Sequence, residues 1–275
     1  MSGQPDLDAY FERIGYSGAP RPDLPTLRGI HLQHAVTIAF ENLDPLLRRP
    51  VRLDLDSLEH KLLRSRRGGY CFEQNQLLSL VLRAIGFRVT DLAARVVWNA
   101  PPGVLRPRSH MLLRIDLEDG PYVADVGFGG LTLTAPLRLA ADIEQPTPHE
   151  TFRLVATDDG FVLEALLRES WAALYRFDLQ PQLPPDYEVA NWYVSTHPQS
   201  HFVTSLIAAR PFSGGRFALS NNQLSIHRPG AASEQRTLPG PAELRAVLQE
   251  TFGLTLPEEP GLDETLARLT APQIA

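Results

Sequence analysis

The sequence predicts an α+β protein, and the reason is a change of hydrophobic period along the chain. Up to about residue 86 the apolar side chains recur at helical spacing. From 87 to about 190 they alternate, and from 191 to 275 the two patterns mix. The expected organisation is therefore a helical segment over 1–86, a β segment over 87–190 and a mixed segment over 191–275.

In the first segment, Leu7, Tyr10, Phe11 and Ile14 follow Asp6, a suitable N-cap, and Gly15 supplies a stop. Thr26 is the expected cap of a second helix carrying Leu27, Ile30 and His34, and a third is expected from Ser57 to Ser65. The fourth follows Cys71, with Leu78, Val81, Leu82 and Ile85 on one face and Gly86 at the left-handed C-terminal position. In the second segment, Leu92, Ala94, Val96 and Trp98 share one strand face, ending at Asn99-Ala100-Pro101-Pro102-Gly103. Met111 to Leu117 and Tyr122 to Val126 read as a hairpin around Asp119-Gly120. Runs at Phe152–Leu154, Phe161–Leu163 and Trp171–Phe177 extend the β character, so a barrel or a sandwich is expected. In the third segment, Phe202–Ala208 and Arg216–Leu219 read as strands, Pro241–Phe252 and Leu262–Leu269 as helices.

At 275 residues, 43% hydrophobic and 21% charged, the chain fits a soluble globular protein with a core of its own. A net charge of −6 gives no reason to expect nucleic acid or an anionic membrane as partner. No window approaches the roughly 18 apolar residues of a membrane span. Met1 to Asp6 lack the basic and apolar regions of a leader. The single cysteine excludes an internal disulfide and a thiolate-rich zinc site, which suits a reducing compartment, so the expected location is cytoplasmic.

That cysteine is the centre of the functional reading. Cys71 stands in Arg67-Gly68-Gly69-Tyr70-Cys71-Phe72-Glu73-Gln74-Asn75, where a glycine bend meets a helix. A thiol at a helix N-terminus faces the positive end of the dipole and unpaired N–H groups, a setting that favours the thiolate. The plain alternative is a buried cysteine acting as a small hydrophobe. A nucleophile needs a base, and the base an orienting group. His110 opens one strand and Asp125 closes its neighbour. A carboxylate at the end of a mostly apolar strand needs a partner if buried; the alternative is a turn former beside a surface histidine. A two-residue turn at Asp119-Gly120 puts His110 opposite Gly129, with Asp125 four residues away. At about 3.4 Å per residue that is too far for a hydrogen bond, so contact requires a bulge, a longer connection or strong coiling.

The cysteine segment resembles the catalytic motif of the arylamine N-acetyltransferase family. Phe40-Glu41-Asn42-Leu43 with His34, Ser109-His110, Asp125-Val126-Gly127-Phe128-Gly129, and Asn191-Trp192-Tyr193 with Ser195, Ser200 and Phe202 resemble its other segments in the same order. One departure is Ala39, where the family usually has proline, so a looser loop is expected there. The resemblance implies a helical bundle, an antiparallel β-barrel and an α/β lid, with a papain/transglutaminase-like catalytic core. It implies transfer of an acetyl group from acetyl-CoA to an arylamine or hydrazine by a ping-pong route, without a metal. Carried over by position, Cys71 is the nucleophile, His110 the acid/base and Asp125 the orienter, and the Cys71 N–H is the oxyanion donor.

Around these, Phe40, Tyr70, Phe128 and Phe202 are candidates for an aromatic-lined cleft, and Trp98 and Gly127 to Gly130, Gly129 and Gly130 among them, for the coenzyme A entry; core packing and a tight turn are the simpler readings. Glu41 is expected to serve structure, tied to Arg67 or to loop N–H groups. His31 and His34 are three apart on a helix, but no third ligand suggests a metal. The rival activities are an amide synthase taking an acyl chain from a carrier protein and a papain-like cysteine hydrolase.

Overall fold

The computed structural model describes residues 3–101 and 103–271; Pro102 of the expected turn and the outermost residues of the first and third segments lie outside the described residues. Helix α1 (Leu7–Ile14) starts where the Asp6 carboxylate accepts the Ala9 N–H and stops at left-handed Gly15. Helix α2 (Leu24–Thr37) starts earlier than expected, because Asp23 rather than Thr26 is the cap: its carboxylate accepts the Thr26 N–H, and Pro25 fits the first turn. A short strand β1 (Phe40–Glu41) and helix α3 (Leu43–Leu46) follow. The expected helix near Ser57 is α4 (Leu55–Leu58), which widens into a π turn over Glu59–Arg64. Helix α5 (Cys71–Ile85) begins at the cysteine itself and ends at left-handed Gly86. Its apolar face buries Leu77, Leu78, Val81 and Leu82 in one core with Tyr10, Ile14, Leu27 and Ile30.

The middle of the chain forms a nearly closed antiparallel barrel of eight strands: β2 (Arg88–Val96), β3 (Arg108–Leu117), β4 (Gly120–Ala124), β5 (Leu137–Arg138), β6 (Gln145–Pro146), β7 (Thr151–Thr157), β8 (Gly160–Leu167) and β9 (Ser170–Phe177). Their order is β5-β4-β3-β2-β9-β8-β7-β6. The two edge strands are bridged by one side chain: Gln145 accepts the Arg138 N–H (2.7 Å) and donates to the Arg138 carbonyl (3.0 Å). An amide group can do both, standing in for a missing ladder residue. Alternation on β3 separates two cores. Met111, Leu113 and Ile115 pack with α5, while Leu112 points into the barrel with Leu92, Val123 and Phe152.

Three sequence expectations fail beyond this point. The stretch near 190 is helix α6 (Pro184–Thr196), whose Tyr187 and Val194 join the helical core. Phe202 lies in helix α7 (His201–Thr204), not in a strand, and the strand that follows is β10 (Ile207–Phe212). The third segment's sheet also recruits β1 from the first, in the order β1-β10-β11-β12-β13, with β11 (Gly215–Ser220), β12 (Gln223–His227) and β13 (Glu234–Thr237). Two-residue strands and single helical turns carry too little periodicity to be read from sequence. Helix α8 (Pro241–Ala246), continued as a π turn to Thr251, and α9 (Pro260–Thr270) pack Leu244, Leu248, Leu262 and Leu266 against this sheet. No helix among the described residues is long and apolar enough to cross a membrane.

Candidate active site

Cys71 is the first residue of α5 and is 3% exposed; its Sγ lies 3.7 Å from the Ser109 carbonyl. The bend before it requires glycine. A Cβ at Gly68 would stand 2.2 Å from the Ala39 carbonyl oxygen, so only glycine lets the two segments meet. The Ala39 segment is held rather than loose: Gly69 donates to the Ala39 carbonyl (3.3 Å), and Glu41 donates to the Gly69 carbonyl (3.1 Å).

His110 and Asp125 meet. His110 Nε2 is 2.7 Å from Asp125 Oδ2, and both side chains are buried. The structure corrects the expected register. Leu117 pairs with Gly120, so the two-residue turn is Glu118-Asp119, one position earlier than Asp119-Gly120. Each later pair is thereby two residues closer. Ala124 pairs with Leu113, and the next residue, Asp125, lies beside Leu112, two positions from His110. Such diagonal neighbours are about 7–8 Å apart at the backbone, within reach of an imidazole. A bulge lies on the other side of β3, where Ala94 pairs with His110 and Arg95 with Arg108, skipping Ser109.

Asp125 is held by four donors. His110 Nε2 and Tyr175 Oη (2.9 Å) share Oδ2, while Asn75 Nδ2 (2.9 Å) and the Gly127 N–H (2.9 Å) share Oδ1. Its own backbone N–H donates to His31 Nε2 (3.1 Å). Asn75 is one helical turn from Cys71. It also donates to the Met111 carbonyl (2.7 Å) and accepts the Val126 N–H (3.0 Å), stapling α5 to the barrel edge. Sequence reasoning assigned no role to Asn75, Tyr175 or His31. For Asn75 the signal was present in its i, i+4 spacing from the cysteine; for the other two it was not, because long-range contacts create them. His31 and His34 are structural in this arrangement. Burial pushes His31 down to about 4 and His34 to about 3. His34 contacts Tyr10 Oη (2.8 Å) and Gln74 Oε1 (3.0 Å). No cluster of three or more potential metal ligands occurs among the described residues.

With Nε2 on Asp125, His110 has Nδ1 left free of the carboxylate, while the Cys71 thiol, close enough to help raise the imidazole, donates to the carbonyl of Ser109, the residue before His110. Burial works against a charged imidazole, but the Asp125 charge and hydrogen bond, with a further contribution from Cys71, raise His110 to about 10. Burial also works against a charged Asp125, yet the His110 charge and the hydrogen bonds from His110, Asn75 and Gly127 hold it below its ordinary 3.8. The two shifts define a stability window. The Asp125 part is present above 3.8 and fades as pH falls through its folded value. The His110 part is complete below 6.5 and fades as pH rises through about 10. The unfolding free energy lost in His110→Gln, measured in urea, is expected to be largest near about pH 5–6 and to shrink steadily toward about pH 10. A loss that grows with pH would contradict the ion pair.

The aromatic candidates gather around this pair. Phe128 lies edge-on to His110 (5.2 Å between centroids), and Phe202 packs on Tyr70 (5.6 Å) and Phe40 (6.0 Å). Gly129 is left-handed (φ 84°) against the Phe40 ring, and a Cβ on Gly130 would meet nothing within 4 Å. Trp98 stands apart at the end of β2, 36% exposed and without a ring contact among the described residues. Tyr70 donates its hydroxyl to Asn191, which in turn donates to the Val51 carbonyl (2.9 Å). Glu41 meets both expectations for it, accepting Arg67 Nη2 (2.7 Å) and the Leu43 N–H (2.6 Å).

Residues 23–260 match a family model described as N-acetyltransferase, which sets the class as an acyltransferase. The arylamine N-acetyltransferase of Escherichia coli (strain K12) is 46% identical over 272 residues, covering 98% of this chain and 94% of that protein. The solved arylamine N-acetyltransferase of Mycobacterium marinum superposes with a TM-score of 0.93 at 43% identity, over 97% of this chain and 100% of the other. A second Mycobacterium marinum structure, in complex with CoA, gives a TM-score of 0.92 at 42% identity, over 96% of this chain and 99% of the other. The chain belongs to the arylamine N-acetyltransferase family, and its fold is the α+β fold of that family.

Proposed function

We propose that the protein carries acetyl groups from acetyl-CoA to arylamines and hydrazines through an acetyl-Cys71 intermediate. The observation that supports this reading is the buried His110–Asp125 pair beside Cys71 at the start of α5, with Phe128 against the imidazole. With His110 raised to about 10, the imidazole is protonated at neutral pH, and the nucleophile works as the thiolate beside it. The thiolate attacks the thioester carbonyl, and the Cys71 N–H at the helix start, outside the i−4 ladder, faces the oxyanion. Collapse expels the coenzyme thiolate, which takes the His110 proton, leaving acetyl-Cys71 and a neutral imidazole. An arylamine, uncharged at neutral pH, then attacks the acetyl carbon. Its proton passes to His110 as the cysteine thiolate leaves, which restores the starting pair. Asp125 holds the ring so that Nδ1 faces sulfur throughout. Phe128 and Phe202, both partly exposed, offer apolar surface to the aromatic acceptor, with buried Phe40 and Tyr70 packed against Phe202, and Gly129 and Gly130 leave room for the donor. The reaction needs a free thiol, which suits a reducing compartment such as the cytoplasm.

Initial rates with acetyl-CoA and an arylamine, both varied, test the reading. Parallel double-reciprocal lines are expected, with coenzyme release accelerated by the amine. Labelling of Cys71 by a carrier-protein thioester but not by acetyl-CoA would establish the amide synthase instead, and peptide cleavage without coenzyme would establish the hydrolase.

A further inference from the structure

Helix α6 carries apolar side chains on two faces. One face is buried, with Tyr187 and Val194 in the helical core. The other is open to solvent: Val189 is 70% exposed, Trp192 66% and Tyr193 42%. A surface helix ordinarily turns polar side chains to water. Pro185, Val189, Trp192 and Thr196 are all exposed and follow steps of four, three and four residues, the spacing of a seam between two helices. The Tyr193 ring, at the side of this seam, is held by stacking on His197 (4.5 Å between centroids). Tryptophan and tyrosine are the usual anchors of interfaces, and an anchor already held in place loses less entropy on binding.

We infer that this face of α6 is a homodimer interface, in which two copies of the chain pair their α6 helices antiparallel about a two-fold axis between Val189 and Trp192. The seam is self-complementary in size. Such an axis sets Trp192 over the partner's Val189 and Pro185 over the partner's Thr196, so a large side chain meets a small one at both central positions. Its charge pattern fits the same arrangement. Asp186 and Glu188 lie in the first half of the helix, and no carboxylate occurs from Val189 to Thr196. Antiparallel pairing keeps the acidic halves apart and opposes the two helix dipoles, whereas parallel pairing would set acid beside acid. The same two carboxylates, beside the apolar seam, disfavour an anionic membrane surface as the occupant. The exposed parts of Val189, Trp192 and Tyr193 amount to roughly 350 Å² per copy, nearly half of the about 800 Å² that each side of a standard interface buries. That area supplies the apolar centre, with the polar flanks of the helix as rim, and it sets a reversible dimer with a Kd on the order of 10 µM. The inference is independent of the chemistry at Cys71.

Sedimentation velocity of the full chain over about 1–100 µM tests it, with a shift from monomer to dimer expected near about 10 µM. Val189→Glu puts a charge into the seam and is expected to raise Kd by at least about 100-fold, leaving a monomer throughout; Trp192→Ala is expected to raise it by about tenfold or more. Both positions are exposed, so near-UV circular dichroism is expected to show both variants folded. Cys71 is the only native cysteine, so new thiols in a Cys71→Ala background report the geometry. A short bis-maleimide is expected to join Pro185→Cys chains to Thr196→Cys chains, and to join neither to itself, because like positions then stand about 16 Å apart along the seam. A native chain that stays monomeric at the highest concentration would overturn the inference. So would a dimer that survives Val189→Glu, or Thr196→Cys chains that link to one another as readily as to Pro185→Cys chains. A monomer whose tryptophan emission shifts to the blue on phospholipid vesicles, and does so only with Trp192 present, would assign the face to a membrane and overturn it as well.

Discussion

Asp125→Asn is expected to lower kcat/KM by about 10³-fold or more and to suppress alkylation of Cys71 near neutral pH. The reason is hydrogen-bond arithmetic. The carboxylate accepts from four donors, two on each oxygen: His110 and Tyr175 on one, Asn75 and the Gly127 N–H on the other. An amide has one accepting end and one donating end. Either orientation therefore sets its N–H groups against two donors, inside a buried site. If the NH2 faces His110, the ring must turn its lone pair toward it and carry its proton on Nδ1. That tautomer points a donor at sulfur and cannot take the amine proton. If the NH2 faces Gly127, the loop following Asp125 moves instead. The charge that raises His110 is lost in either case, so the imidazolium beside Cys71 goes with it. Near-UV circular dichroism would show the variant to be folded. Native alkylation and turnover in that folded variant would show that Asp125 does not support the thiolate.

Gly127→Ala is expected to do comparable damage by packing alone. A Cβ at Gly127 would stand 2.7 Å from Cys71 Cα, 2.9 Å from Asn75 Nδ2 and 3.2 Å from the Cys71 carbonyl oxygen. Two of the three obstacles are backbone at the first residue of α5, so no side-chain rotation relieves them. Either the helix start or the loop after Asp125 must shift. Overpacking of this kind costs about 1–3 kcal/mol in stability. A displacement of about 1 Å between nucleophile and base costs on the order of 100-fold in rate. Gly261→Ala in α9 is the control, since a Cβ there meets nothing within 4 Å and the residue lies outside the site. Thermal unfolding and kcat/KM should both separate the two variants. Equal behaviour would mean that the contact between Gly127 and Cys71 does not set the site's geometry.

Much of this arrangement is legible in the sequence, and the limits are physical. Long elements with a clear period are readable: α1 from Asp6 to Gly15, α5 from Cys71 to Gly86, and the alternating β3. Short elements are not, which is why α7 at Phe202 reads as a strand and β1 escapes notice. Boundaries shift where two capping residues compete, as Thr26 and Asp23 do. The His110–Asp125 contact turns on a single residue of hairpin register. Asp-Gly is the commoner two-residue turn, yet the loop here is Glu118-Asp119, with Gly120 already paired to Leu117. The carboxylate's other partners lie about fifty residues away on either side, Asn75 in α5 and Tyr175 in β9, so local pattern holds no trace of Tyr175.

Whether Cys71 carries the acetyl group is decided by the intact mass of the protein after brief exposure to acetyl-CoA. The native protein is expected to gain one acetyl group, located on Cys71, absent in Cys71→Ala, and lost when an arylamine is added as the acetylated amine appears. No adduct, an adduct that persists in Cys71→Ala, or one that arylamine fails to discharge would contradict acetyl transfer through Cys71.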